Sequence, residues 1–117
     1  MRYMLLVYLD EKLLTDHERQ ECYAESTQLA HDLAGAGKFI ASAPLQPTAT
    51  ASSIRVREGK RLVTEGPFAE TREQLGGYYL VNADSPEDAI EIASRIPAAR
   101  VGTIEVRPVI ELTGLPQ

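Results

Sequence analysis

Two helix-start signals divide this chain into halves with the same order of elements. Thr15 stands three residues ahead of Glu18, the spacing of a capping box, in which the two side chains satisfy free amides at the start of a helix. Asp84-Ser85-Pro86-Glu87 supplies a capping Ser, a Pro at the first helical position and carboxylates at the positive end of the helix dipole. Each signal follows a short apolar run with strand character, and each helical stretch leads into another such run. Few folds accommodate that arrangement.

The first half opens with the apolar run Tyr3 to Leu9, breaks at Asp10-Glu11-Lys12, and becomes helical from Asp16 to Ala36. Cys22, Ser26, Leu29, Leu33 and Ala36 form the stripe of that helix, and Gly37 suits the left-handed position that closes it. Lys38 to Ala43 reads as a strand, and Leu45 to Ser52, with Pro47, as an extended crossing. Ser53 to Arg57 and Lys60 to Thr64 flank Glu58-Gly59 as a hairpin would. The second half runs through a strand at Gly77 to Ala83, a helix whose buried stripe is Ala89, Ile90, Ala93 and Ile96, and a strand at Thr103 to Leu112.

The order β-α-β, hairpin, β-α-β predicts an α+β ferredoxin-like sandwich: one antiparallel sheet with both helices on one face. A single domain over residues 1–112, with a loose tail over 113–117, accounts for the 117 residues. Helices on one face leave the other uncovered. Its candidate residues (Tyr3 or Met4, Tyr78 or Tyr79, Val106 or Arg107) include large apolar groups. An apolar sheet face on a small domain calls for a partner, and a second copy supplies a matching surface by symmetry. A homodimer with opposed sheets is the expectation.

A net charge of −5 argues against nucleic acid as a partner, since phosphate recognition rests on clustered Lys and Arg. The only basic cluster is Arg55, Arg57, Lys60 and Arg61, on the expected hairpin. One cysteine, Cys22, forms no internal disulfide and fits a reducing compartment. The apolar N-terminal run is too short for a membrane span or signal peptide, so a cytoplasmic location without membrane attachment is expected. His17 and His31 fall opposite the apolar stripe of the first helix and match no metal-ligand spacing. No cofactor motif is present; Gly76-Gly77 lacks the Lys and following helix of a phosphate loop.

The segment Leu62 to Val81 concentrates the candidate chemistry. Glu65, Glu70, Arg72 and Glu73 lie within nine residues, between Pro67 and Gly76-Gly77. If Phe68 to Leu75 forms a short helix, Glu70 and Glu73 stand one turn apart, and mutual repulsion raises the pKa of one toward the range of a general base. Arg72 or Arg107 would anchor an anionic group, with Glu65, Phe68 and Tyr78 as further binding candidates. The simpler reading has Arg72 and the glutamates rigidify the loop.

MRYMLLVY, LVTEGPFAETREQLGGYYLV and IPAARVGTIEVRPVIEL together resemble the YCII-related proteins, specifically the branch named for an Asp-Gly-Pro-Phe motif. The motif reads Glu65-Gly66-Pro67-Phe68 here, with Glu in place of Asp. The resemblance implies a dimeric α/β-barrel of ferredoxin-like subunits, a bacterial origin and, often, a gene beside one for an extracytoplasmic-function sigma factor. It brings no established activity. The His-Asp pair proposed for the YCII branch has no counterpart motif around His17 or His31.

Three functions follow, of which the plainest is a purely structural accessory dimer. Another is a cofactor-free enzyme acting on a small organic molecule, with Glu70 or Glu73 as base. The third is a regulatory module that binds a small molecule or a protein such as a sigma factor.

Overall fold

The computed structural model describes residues 1–116. Six strands, two α-helices and two 3₁₀ turns follow the expected order: β1 (Arg2–Leu9), α1 (Asp16–Gly35), β2 (Phe39–Pro44), a 3₁₀ turn at Thr48–Thr50, β3 (Ser52–Arg57), β4 (Lys60–Glu65), β5 (Gln74–Asn82), α2 (Pro86–Ser94), a 3₁₀ turn at Pro97–Arg100, and β6 (Thr103–Pro108). Four strands form an antiparallel sheet in the order β2-β5-β1-β6, and β3 and β4 pair only with each other. The chain is α+β, with a strand order and two helices consistent with a ferredoxin-like fold. No helix among the described residues is long and apolar enough to cross a membrane.

Local chemistry sets the helix ends. Thr15 Oγ1 accepts from the Glu18 amide at 3.1 Å, and Glu18 Oε1 accepts from the Thr15 amide at 2.9 Å, completing the capping box. At the other end, Gly37 adopts φ +74° while its amide donates to Ala34 and the Lys38 amide donates to Leu33 at 2.8 Å. These two bonds are those of a Schellman closure, and the positive φ is why glycine stands there. Ser85 Oγ accepts from the Asp88 amide at 3.1 Å, with Pro86 opening α2.

Tyr3, Leu5 and Val7 of β1 and Tyr79 and Val81 of β5 point toward the helices, where Leu29, Leu33, Ala89, Ile92, Ala93 and Ile96 meet them in one core. The ambiguous strand residues are thereby resolved: Tyr3, Tyr79 and Val106 face the helices, and Met4, Tyr78 and Arg107 the open side. One stripe assignment changes. Ile90 is 56% exposed and Ile92 is buried, because positions 89, 92, 93 and 96 follow the three-and-four rhythm and 90 lies off it. On α1, Leu29 and Leu33 are buried, Cys22 and Ser26 are half-buried, and Ala36 is exposed.

The last strand stops at Pro108, four residues before the expected Leu112, because proline has no amide to continue the ladder. From Val109 to Pro116 the backbone is irregular, and residue 117 of the expected tail lies outside the described residues. Gly76 and Gly77 lie inside β5, not ahead of it. Gly76 occupies a register shift against β1, and a Cβ on Gly77 would sit 3.0 Å from the Ala43 carbonyl oxygen.

Lys38 ties the start of β2 to α2 through Asp88, at 2.8 and 2.9 Å to its two oxygens, and Asp88 also accepts from the Asp84 amide. The Lys38 ammonium, and then the Asp84 amide, hold the Asp88 carboxyl below the usual carboxylate range. A lowered folded-state pKa contributes stability that is complete above about pH 4 and is lost as pH falls through the lowered value. The raised pKa of Lys38 places the matching loss at the alkaline end, as pH climbs past the ordinary lysine range. Asp88→Asn is expected to flatten the acid limb of a melting-temperature profile. An unchanged acid limb would show that the pair is neutral in stability.

Candidate functional site

The candidate residues are distributed over three places. The first is the hairpin and its base. β3 and β4 turn through Glu58 and Gly59, both with positive φ, as a two-residue hairpin requires. Its base is closed where the Gly66 amide donates to Ala51 at 2.8 Å and Ser53 Oγ donates to the Gly66 carbonyl at 2.9 Å. Gly66 adopts φ +106°, which a side chain would resist. Glu65 ends β4, exposed and paired across the ladder with Ser52. Phe68 is 77% exposed, and the Arg55 guanidinium lies 5.3 Å from its ring centroid, within reach of a cation–π contact.

The second place is an open groove at the end of the main sheet, a space of about 420 Å³. Asp10, Glu11 and Lys12 form one wall and Pro67, Glu70 and Arg72 the other, with Thr48 and Gln74 between. Glu11 is held in place by accepting from the Thr48 amide at 2.7 Å and from Thr48 Oγ1 at 3.0 Å. Arg72 Nε lies 3.8 Å from Asp10 Oδ2, with the Arg72 side chain almost fully in solvent. At such exposure an ion pair is worth at most about 1 kcal/mol. Arg72 is therefore free to exchange Asp10 for another anion.

The short helix expected over Phe68 to Leu75 does not form. Residues 66–73 are irregular and β5 already begins at Gln74. Side chains take the local backbone bonds instead: Thr71 Oγ1 donates to the Glu73 carbonyl, and Gln74 Nε2 to the Thr71 carbonyl at 2.6 Å. Glu70 and Glu73 consequently go separate ways. Glu70 lines the groove, and Glu73 accepts from Thr103 Oγ1 at 2.9 Å, fastening the loop to β6. Both residues are exposed.

The third place is the open face of the sheet. Two rows cross it from edge to edge: Ala41, Leu80, Met4 and Arg107, and beside them Ala43, Tyr78, Leu6 and Glu105. Met4, Leu6, Tyr8, Tyr78 and Leu80 are each half-buried by their neighbours, with the outward side of the rows uncovered. Charge on this face lies along β6, where Arg107 Nε meets Glu105 Oε2 at 3.1 Å and Tyr8 Oη donates to Glu105 Oε1 at 3.3 Å, and at the start of β1, where Arg2 lies in step with Met4 and Leu6 and pairs with Glu111 at 3.4 Å. Tyr78 and Arg107 share this face but are separated by β1.

His17 pairs with Glu21 at 2.6 Å on the outer side of α1, and His31 is exposed. Burial pushes the Cys22 thiol up, with the nearby Glu25 adding to the effect, which favours the protonated sulfur. Sequence reasoning treated Asp10-Glu11-Lys12 only as a polar break and did not place it in the groove. The available signal was that β1 must end on the same side as the loop that enters β5.

A YCII-related domain matches residues 1–113. A protein of Rhizobium meliloti (strain 1021), itself described as uncharacterized, is 34% identical over 113 residues, covering 92% of this chain and 91% of its own length. The match spans both halves of the fold, the hairpin and the groove, and on it the chain belongs to the YCII-related domain family.

Proposed function

We propose that this protein is a homodimeric binding module of the Asp-Gly-Pro-Phe branch, with two sheets opposed as in a dimeric α/β-barrel and a small polar organic molecule held in the groove beside Arg72. The observation that carries the reading is the apolar open face, Met4, Leu6, Tyr8, Tyr78 and Leu80, running unbroken across β1 and β5. A two-fold partner covers such a face with an identical one. In the groove, Arg72 and Lys12 suit an anionic group and Glu70 a hydrogen-bond donor on the same molecule.

Binding is favoured over catalysis by the setting of the glutamates. A carboxylate works as a base at neutral pH when a dry pocket or a neighbouring charge raises its pKa. Glu70 stands in an open groove, and Glu73 is engaged with Thr103. A basic protein surface, such as that of a sigma factor, is the competing occupant for the acidic loop.

Sedimentation at micromolar concentration is expected to give twice the 12.9 kDa of one chain. Leu6→Asp, which places a charge at the centre of the opposed faces twice over, should weaken dimerisation about 100-fold or more. A wild-type monomer would remove the dimer. For the ligand, a thermal shift with small carboxylates should survive Glu70→Gln and vanish with Arg72→Ala. Turnover lost specifically in Glu70→Gln would instead support the enzyme.

A further inference from the structure

The β3-β4 hairpin is an arm. Apart from each other, neither strand packs appreciably on any other element. The arm also explains the molecule's dimensions: the radius of gyration is 16.0 Å over 46 × 43 × 22 Å, where a compact chain of this length has a radius of about 13 Å. A two-stranded hairpin alone in water is marginal at best, so its sequence calls for a covering surface.

Its two faces differ. Cross-strand partners share a face, so Ile54 with Val63 and Val56 with Arg61 lie on one side. Arg55 with Leu62 and Arg57 with Lys60 lie on the other, together with Phe68 beneath Arg55. Ile54, Val56 and Val63 are 61, 62 and 56% exposed, far more than three β-branched residues on one face require if the face is only solvated.

Charge identifies the occupant. Residues 52–65 hold four cations against Glu58 and Glu65, a net +2, so the rest of a chain whose total is −5 carries −7. The element with the most acids is α1, where Asp16, Glu18, Glu21, Glu25 and Asp32 are all exposed against Arg19 on the helix itself and Arg100, which pairs with Glu25 at 2.9 Å. Leu13 and Tyr23, on the same helix and the turn before it, add exposed apolar surface. A basic, apolar arm and an acidic helix with apolar patches on one chain are complementary between two copies.

We infer that the hairpin clasps a second copy of this chain, its basic residues lying against the partner's α1. This rests on the sheet-to-sheet dimer proposed above. Six residues per strand make an arm about 20 Å long, a length comparable to the roughly 10 Å between opposed sheets plus one further layer to the partner's helices.

The test is dimer dissociation measured by sedimentation, using charge reversals on surfaces outside the core. Arg57→Glu with Lys60→Glu should raise the dissociation constant about 30-fold. Glu21→Lys with Glu25→Lys should do the same, and all four changes together should return it to within about threefold of wild type. If the arm reversals leave the constant unchanged while Leu6→Asp dissociates the dimer, the clasp is overturned and the opposed-sheet dimer stands. Weakening without recovery in the combined variant also overturns the clasp. A wild-type monomer at 100 μM removes both, and arm-dependent binding to vesicles of anionic lipid by a monomer would assign the arm to a membrane surface instead.

Discussion

Gly102→Ala is expected to be the most damaging single-methyl change in this chain, lowering stability by about 3 kcal/mol and the melting temperature by about 12 °C. A Cβ at this position would fall well inside contact distance of the Tyr8 carbonyl oxygen, and 3.3 Å from Leu9 Cα. Both obstacles are backbone, so no side chain can rotate away. Nor can Gly102 retreat, because its amide donates to Ala98 at 2.7 Å on the opposite side, and Thr103, the next residue, is already paired with Tyr8. The strain is purely steric, since Gly102 has no positive φ. Two controls separate the causes. Gly37→Ala has open space but must hold φ +74°, for a cost of about 1 kcal/mol. Gly76→Ala meets nothing closer than 3.9 Å and should cost less than about 1 kcal/mol. Denaturation of the three variants should rank them in that order; a Gly102→Ala protein as stable as the Gly76→Ala protein would contradict the close approach.

The contrast between Gly102 and Gly37 also shows what the chain discloses before it folds. Gly37 was legible because a helix must end with its carbonyls satisfied, and the residues that do this sit next to it in sequence. The same holds for Thr15 with Glu18, for Ser85-Pro86, and for the Glu58-Gly59 turn. All of these are settled within a few residues. Gly102 was not legible, since its constraint is a carbonyl on β1 more than ninety positions away. The Ile90 assignment failed for a related reason. A helix of nine residues offers two overlapping apolar stripes, and only packing against β1 and β5 selects the one through Ile92.

For the candidate site, the sequence pointed to a segment but not to its internal geometry. Pro67 was read as fixing one end and Gly76-Gly77 the other; Gly76 and Gly77 lie inside β5, and Thr71 and Gln74 close their own backbone bonds where a helical turn was expected. That local competition separates Glu70 from Glu73 and leaves only the former facing the groove. The opposite wall, Asp10 to Lys12, enters through topology alone: β1 and β5 are neighbours and antiparallel, so the exit of one and the entry of the other meet. Sequence patterns establish that both elements exist, and the sheet order brings their ends together.

The second large effect tests how that wall is held. Leu33→Ala should destabilise the protein by about 3–4 kcal/mol, within the range for deleting a buried leucine whose surroundings relax only partly. Leu33 is 1% exposed and, with Leu29, is one of the two buried residues of α1. The first three turns of that 20-residue helix are mostly exposed, so its seating depends on its last two turns and on Tyr79, whose phenol donates to the Ser26 carbonyl at 2.8 Å. The start of α1 is in turn linked to the groove: Arg19 pairs with Asp16 at 2.8 Å and reaches the Glu11 carbonyl at 3.4 Å. Loosening the far end of the helix should therefore be felt at Asp10 to Lys12. Hydrogen exchange offers the decisive comparison. In Leu33→Ala, amides of α1 and of residues 10–14 are expected to exchange faster together, while the β3-β4 arm, which touches neither in its own chain, should change only as far as dimerisation does. If α1 retains wild-type protection in a protein destabilised by this much, the helix is held by contacts other than Leu29, Leu33 and Tyr79, and the coupling between helix seating and groove fails.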